Sequence, residues 1–153
     1  MKELFLTIRT KLLSLSAFKF VDLEKGQLDI PDEMGRYPVN YPCALLSVQL
    51  PQTKNVTTRG EVQQANAILN VRLAWDFTGN TAGQVTPAVL SQSLAYFDVV
   101  EDVWNLLQGF QDVAKTFNRL ERISQREETR GDGLKVVNVT FRTSYREQVP
   151  SQA

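Results

Sequence analysis

The chain has 153 residues, of which 42% are hydrophobic, and its 17 basic and 17 acidic residues balance to a formal net charge of zero. This length fits one domain that can fold without disulfides. A net charge of zero lacks the excess of basic residues that is typical of a general nucleic-acid-binding protein. The sequence contains no histidine and one cysteine, which excludes Ser-His and Cys-His catalysis and the usual zinc sites.

The N-terminal part predicts a helix and then a short strand. Apolar residues at three- and four-residue spacing indicate an amphipathic helix over residues 2–16, and the charges among them are not those of a signal peptide or membrane span. Residues 18–23 alternate in period two and predict a strand. The cluster at 24–27 predicts a turn that closes a hairpin onto Leu28 and Ile30.

A proline-rich segment follows. Pro31 to Pro42 contains three prolines and a glycine, which predicts an ordered loop rather than a regular element. Tyr37 and Tyr41 each precede a proline, and we expect their rings to cover an edge of the core. Residues 44–50 then predict a central strand that ends at Pro51.

The clearest pattern in the chain is a long strand from Val62 to Phe77, in which every second residue is apolar. At about 3.3 Å per residue it extends roughly 50 Å. It follows a polar tip at 52–60, so the two segments predict a long antiparallel hairpin. Part of this hairpin is expected to protrude as an arm or to face a neighbouring subunit.

The second half predicts one helix and a closing hairpin. Thr86 is an N-cap candidate before a proline, and helical spacing continues to Gly109. Residues 117–129 are highly charged. We interpret them as an exposed edge strand because a tight turn at 130–133 and strong alternation over 137–145 follow.

These elements predict one α+β domain over residues 1–147 and a disordered C-terminal tail over 148–153. The domain is expected to hold an antiparallel sheet with two helices packed on one face and a long central hairpin.

Few residues suggest a catalytic or metal-binding role. Cys43 lies in an apolar run, where a buried hydrophobe is a commoner role than a reactive thiol, and it fits a reducing cytoplasm. Asp98, Glu101 and Asp102 share the polar side of the second helix. Such carboxylates can bind a divalent ion or share a proton, but more often they form a solvated helix face. We expect no cofactor and no metal.

The polar face of the long strand is the most suggestive surface. It carries Gln63/Gln64, Asn66, Asn70 and Arg72, with Ile68 among them. Polar strand faces of this kind suit contacts between subunits, and a plain solvated sheet face explains any single residue equally well.

The order of elements resembles a known family. An N-terminal helix, a Tyr-Pro-containing entry into a strand over Arg36–Ala44, a long hairpin, one amphipathic helix and a closing hairpin look like the tail terminator and related tail-completion, or head-tail joining, proteins of long-tailed bacteriophages and prophages. The resemblance covers the chain from about Met1 to Tyr145.

This resemblance implies a non-enzymatic protein that forms a ring, expected to be a homo-hexamer. The ring would cap the tail tube, stop its polymerisation and meet the head-neck connector. Its partners would be copies of itself, the tail tube protein and connector proteins, without sequence-specific nucleic acid or a membrane. It would reside in the bacterial host cytoplasm during assembly and then in the virion tail.

Cyclic symmetry would make every contact in such a ring heterologous, so that one face of a subunit meets a different face of the next. We expect the arginines Arg59, Arg72, Arg119 and Arg122 to be exposed and to contact a neighbouring subunit or the tube.

Other functions stay open at this point. One is a different head-tail or secretion-tube adaptor with a similar fold. Another is a small-ligand or partner-binding α+β domain of bacterial metabolism, and a third is a metal enzyme built on Asp98, Glu101 and Asp102.

Overall fold

The structure, a computed structural model, describes residues 1–150. The described chain forms a five-stranded sheet in the order β1-β2-β3-β5-β4, together with three helices. The elements are α1 (Lys2–Leu13), β1 (Phe20–Leu23), β2 (Cys43–Asn55), β3 (Val62–Asp76), α2 (Pro87–Ser93), α3 (Ala95–Leu107), β4 (Glu121–Glu128) and β5 (Leu134–Gln148).

The sheet is mainly antiparallel. β2 pairs with β3, β3 with β5 and β5 with β4 in antiparallel ladders, while β1 runs parallel to β2. β2 and β3 form the predicted long central hairpin, and β4 is the predicted edge strand. The α+β class is confirmed.

One face of the sheet, the helix face, carries the main core. Side chains of β3 such as Leu69, Val71 and Leu73 alternate onto this face and are fully buried. α1 covers them with Leu4, Ile8 and Leu12, and α3 covers them with Tyr96, Val100, Val103 and Leu107. The two helices therefore pack on one face as predicted. Within residues 1–150, no helix combines the length and apolar character needed to cross a membrane.

The opposite face, the loop face, carries a smaller core at one end of the sheet. Cys43, Leu45, Ala74 and Val136 lie buried there under the segment that joins β1 to β2. That segment contributes Leu28 together with the rings of Tyr37 and Tyr41. The prediction that these tyrosines cover a core edge is confirmed.

The predicted hairpin from the first strand onto Leu28 and Ile30 is wrong. Gly26 makes the expected turn with a φ of 79°, but the chain then crosses the loop face instead of returning beside β1. Leu28 is buried in the smaller core and Ile30 is exposed. β1 consequently pairs with β2, and a parallel pair needs a long crossover.

The predicted end of β2 at Pro51 is also wrong, because the strand continues to Asn55. The register shifts between Gln49 and Gln52. Pro51 lies inside this irregularity, where a β-bulge tolerates the missing backbone donor.

The predicted single helix from Thr86 to Gly109 is divided in two. Thr86 caps α2 by accepting a hydrogen bond from the Val89 amide at 3.4 Å, as the sequence indicates. The Ser93 hydroxyl donates to the Val89 carbonyl at 2.8 Å, a contact that bends helices. Leu94 then separates α2 from α3 with φ −94° and ψ 0°.

The C-terminal end is ordered further than the sequence indicates. Gln148 pairs with Val62 as the last residue of β5, and the Val149 amide donates to the Glu61 carbonyl at 2.9 Å. The tail predicted from residue 148 thus begins inside a strand. Residues 151–153 of that predicted tail lie outside the described residues.

Candidate assembly surfaces

Arg72, predicted to be an exposed contact residue, is instead an internal anchor, with only 11% of its side chain exposed. It points from β3 onto the loop face, where three carboxylates surround it. Its Nε and Nη2 donate to the two carboxylate oxygens of Glu128 at 2.8 and 3.0 Å. Nη1 donates to Glu24 at 3.3 Å and Nη2 also donates to Asp29 at 3.0 Å. The guanidinium therefore fixes the β1–β2 segment to the sheet.

Arg130, in the turn between β4 and β5, is the second anchor. Its Nη2 donates to Asp132 at 2.7 Å and also to the Leu28 carbonyl, and its Nη1 donates to Glu128 at 3.1 Å. The Tyr37 hydroxyl donates to Asp132 at 2.6 Å. The β4–β5 turn is thus joined to the same segment that Arg72 fixes.

The ion pairs control the titration of these groups. Burial by itself would raise the pKa of Glu128, but hydrogen bonds from Arg72, Asn138 and Arg130 outweigh burial and lower the pKa to about 2. The hydrogen bond from Arg130 holds the pKa of Asp132 well below its usual range. Both carboxylates are consequently ionised at neutral pH.

The far end of the central hairpin forms an arm, defined as residues 51–61. Residues 51–59 are all exposed, so neither side of this part of the hairpin is covered by the described chain. Arg59 lies at its tip and is exposed as predicted. The arm is held by its own ladder and by a hydrogen bond from the Gln63 side chain to Asn55 at 2.8 Å.

Between the arm and the β1–β2 segment, the loop face presents polar side chains, and we call this region the open polar face. Asn70 donates to Asn138 at 3.0 Å, and Thr140 donates to Asn70 at 3.0 Å. The other members, exposed or half-buried, are Ser47, Gln49, Gln52, Asn66, Ile68, Arg142 and Ser144. The predicted wet face of the long strand is present, apart from Gln63, whose register places it on the opposite face.

Arg119 and Arg122 are exposed as predicted and lie near the β4 edge. Arg119 donates to the Gly109 carbonyl at 3.0 Å. The Arg122 guanidinium lies 5.1 Å from the centre of the Trp104 ring and donates to Gln125 at 3.0 Å. The structure therefore separates the four predicted arginines: Arg59 is on the arm, Arg119 and Arg122 are near the edge, and Arg72 is inside.

The acidic residues of the second predicted helix and Cys43 were the other candidates for a chemical role. Asp98, Glu101 and Asp102 are exposed on α3. Among residues 1–150, no three side chains of the metal-binding types come together as a site. Cys43 is fully buried, and burial raises the pKa of its thiol to about 12.

A projecting loop, residues 30–36, exposes two large apolar side chains. Ile30 is 81% exposed and Met34 is 75% exposed. Asp32 closes the loop by accepting hydrogen bonds from the backbone amides of Met34 at 2.9 Å and Arg36 at 2.8 Å. Asp29, bound to Arg72, fixes the start of the loop to the sheet. Two apolar side chains are therefore held in water by an ordered backbone.

An aromatic hollow of about 490 Å³ lies on the helix face, between the end of β3 and α2. Trp75 and Phe77 line it with Tyr96, whose ring centre lies 5.6 Å from that of Trp75 and 5.9 Å from that of Phe77. Val89 and Val99 complete its apolar wall, and the exposed Asp76 is at its margin.

Sequence reasoning missed both the projecting loop and the aromatic hollow. Ile30 was expected in a hairpin, and Met34 is a single apolar residue in a polar loop. Trp75 and Tyr96 follow ordinary strand and helix periodicities. Residues on both sides of the break between α2 and α3 line the hollow, and no proline or glycine marks that break in the sequence.

Comparisons with known proteins show a likeness of fold. No family model matches the chain, and no curated protein matches it. A solved structure described as "Virion of native gene transfer agent (GTA) particle" contains a similar chain, with a TM-score of 0.55 and 11% sequence identity. The match covers 92% of this chain and 92% of that chain. At this identity the match shows that the chain shares the fold of a component of that virion particle.

Proposed function

We propose that this protein is a non-enzymatic structural subunit of a phage or phage-like tail. In this proposal, six copies form a ring that caps the tail tube, ends its growth and joins it to the head-neck connector. The observation that carries the proposal is the fold shared with a gene transfer agent virion chain over 92% of both chains. The likeness covers most of both chains, which supports a similar structural role.

The arm supports an assembly role. Residues 52–55 of β2 are paired with β3 on one side only, because the pairing of β1 with β2 ends at Leu46. Their exposed edge offers unpaired backbone groups to another chain. A neighbouring subunit or a tube end would cover it. We propose Arg59 at the tip as a contact residue for such a neighbour.

The open polar face and the β4 edge support the same role. The polar face offers amide and hydroxyl groups to a partner, and the edge strand offers unpaired backbone groups. Arg119 and Arg122 flank that edge, and we propose both as contacts with the next subunit or the tube. Arg72 is excluded from this set because the carboxylates of its own chain engage it.

The electrostatics favour a structural role over a catalytic one. Groups with strongly shifted pKa values mark active sites when they share a cleft with open space. Here Glu128 and Asp132 are paired with arginines that fix a loop. The neutral net charge is compatible with a ring that lets DNA pass without gripping it.

Native mass spectrometry of the full chain over a concentration series tests the ring. We expect a six-subunit species that grows with concentration and appears in negative stain as a ring with a central hole. Arg59→Glu should reduce this species, whereas Arg9→Glu, an exposed charge reversal on α1, should leave it unchanged. A monomer or compact dimer at every concentration would contradict the proposal.

A further inference from the structure

We propose that the open polar face contacts the phosphate backbone of double-stranded DNA, weakly and without preference for sequence. This inference goes beyond the proposed ring, because the ligand is a nucleic acid rather than another protein of the tail. If both proposals hold, DNA that passes through the ring runs along this face.

The basic side chains of this face lie in rows across the sheet. Lys54, Gln64 and Arg146 form one row, because β3 pairs Gln64 with Lys54 on one side and with Arg146 on the other. Arg142 is four residues before Arg146 on the same side of β5, and Arg126 lies on the same face of β4. The four cations are all exposed, so the open polar face continues toward the arm as a basic surface.

The charges of the whole chain balance, but those of this part of the face do not. Four basic residues lie beside one acidic residue, Glu121, which pairs with Arg142 at 2.8 Å. Within residues 1–150, Lys54, Arg126 and Arg146 form no ion pair. Three positive charges are therefore left without a counter-charge of their own.

The borders of the face limit where an anion can bind. Arg59 and Glu61, in the turn of the arm, offset each other. At the opposite end Glu128 is engaged by Arg72 and Arg130, and the β1–β2 segment beyond it is rich in carboxylates. These carboxylates repel phosphate, so the contact is confined to the part of the face nearer the arm.

The neutral side chains of the face favour DNA over a protein partner. Many are amides and hydroxyls, among them Gln49, Gln52, Asn66 and Ser144. Such groups, together with arginine and lysine, make most of the contacts to phosphate and sugar in protein–DNA complexes. Protein interfaces instead centre on well-packed apolar and aromatic anchors. Ile68, the large apolar side chain at the centre of this face, is half-buried.

The sheet surface indicates contact with the duplex backbone rather than with bases. Side chains on a sheet face do not reach base edges as a helix in the major groove does. The rows described above contain no aromatic ring on which an unpaired base could stack. Four residues on one strand span about 13 Å, so Arg142 and Arg146 can contact different phosphates. We expect the face to neutralise about three phosphates.

Fluorescence anisotropy of a labelled duplex tests the contact. The full chain, at up to about 100 µM, is titrated into a duplex of about 20 base pairs at NaCl concentrations from about 50 to about 200 mM. Three neutralised phosphates predict that the binding constant falls roughly 40-fold over this range. A second duplex of scrambled sequence should bind equally well.

Two double variants locate the contact. Lys54→Gln with Arg146→Gln removes two unpaired cations from the face. Lys2→Gln with Arg9→Gln is the matched control, because it removes the same charge from exposed positions on α1, on the other side of the sheet. We expect the first pair to weaken binding at least about tenfold at low salt and to reduce the salt dependence by about two phosphates. The control should bind like the wild type.

Three results would overturn the inference. One is a wild type that binds neither duplex at the lowest salt. Another is an equal loss in both double variants, because binding would then follow net charge rather than this face. The third is a wild type that binds no DNA but forms a ring that Lys54→Gln with Arg146→Gln abolishes, which would assign the face to contact between copies and leave the proposed function standing. DNA binding through this face by a chain that never assembles would support the inference and remove the ring.

Discussion

Arg72 and Glu128 form a two-pronged ion pair across a strand that lies between them. Arg72 is on β3 and Glu128 is on β4, and β5 separates the two strands in the sheet. The pair spans Asn138, which is opposite Arg72 on β5 and donates to Glu128 at 2.8 Å. Paired bonds of this geometry are among the strongest polar contacts in proteins. This pair therefore joins three strands and, through Asp29 and Glu24, the β1–β2 segment.

Removing Arg72 should damage the fold rather than a contact surface. Arg72→Gln removes the charge that pairs with Glu24 and leaves Glu128 with Arg130 as its remaining cation, which costs about 2 kcal/mol in the free energy of unfolding. Arg59→Gln on the arm should change it by less than about 0.5 kcal/mol. Urea denaturation of both variants makes the comparison. Equal effects would contradict the internal role of Arg72.

Acid should weaken the same ion pair. The pKa of Glu128 lies near 2 in the folded chain, against an ordinary 4.5, so the unfolded state binds the proton more tightly. The stabilisation is complete above pH of about 4.5 and is lost as the pH falls toward 2. Its size is about 2 kcal/mol, since the side chain keeps 27% of its exposure to water.

Denaturation measured between pH 2 and 6 checks this dependence. Glu128→Gln should be less stable than the wild type at pH 6 and should lose less stability on acidification. Glu121→Gln, at an exposed position on the same strand, should keep the wild-type slope. A wild-type slope in Glu128→Gln would show that other carboxylates control acid unfolding.

Two tyrosines in the β1–β2 segment should respond oppositely to loss of the hydroxyl. The Tyr41 hydroxyl is buried and has no hydrogen-bond partner within the described residues; burial raises the pKa of Tyr41 to about 12. Tyr41→Phe should raise the free energy of unfolding by about 1 kcal/mol, because it removes an unsatisfied polar atom. Tyr37→Phe, which loses the bond to Asp132, should lower the melting temperature. Thermal unfolding followed by circular dichroism compares them, and destabilisation by both would contradict the assignment.

Gly79 should be intolerant of a side chain. A Cβ at this position would lie 2.8 Å from the Phe77 ring and 2.8 Å from the Ser93 Cβ. Gly79→Ala should therefore cost about 1 to 3 kcal/mol through overpacking and displace the loop beside the aromatic hollow. Gly83→Ala is the matched control in the same loop, because a Cβ there meets nothing within 4 Å. Equal melting temperatures for the two variants would refute the close contact.

The long elements were predictable because their periodicities are strong and local. The alternation of the long strand and the spacing of Leu4, Ile8 and Leu12 determine which residues are buried whatever the topology. The edge position of β4 could also be predicted, because a highly charged strand next to a tight turn is typical of the edge of a sheet.

The errors have a common cause in contacts between distant residues. The β1–β2 parallel pair depends on a segment held by Arg72 and Arg130, which lie 48 and 106 residues after Glu24 in the chain. The division of the helix depends on the Ser93 back-bond. Local sequence patterns indicate neither the ion pairs of the β1–β2 segment nor the Ser93 hydrogen bond. The same reason explains why Arg72 was predicted to be exposed. The polar face of a strand becomes buried when a loop from a distant part of the chain packs across it.

The central claim, that this protein caps a tail tube, is tested most directly by adding the purified chain to growing tubes of the tail tube protein from the same particle. Negative-stain images should show one ring at one end of each tube, and tubes should stop lengthening in its presence. Tubes that grow to the same length without a terminal ring, or that carry the protein along their sides, would contradict the claim.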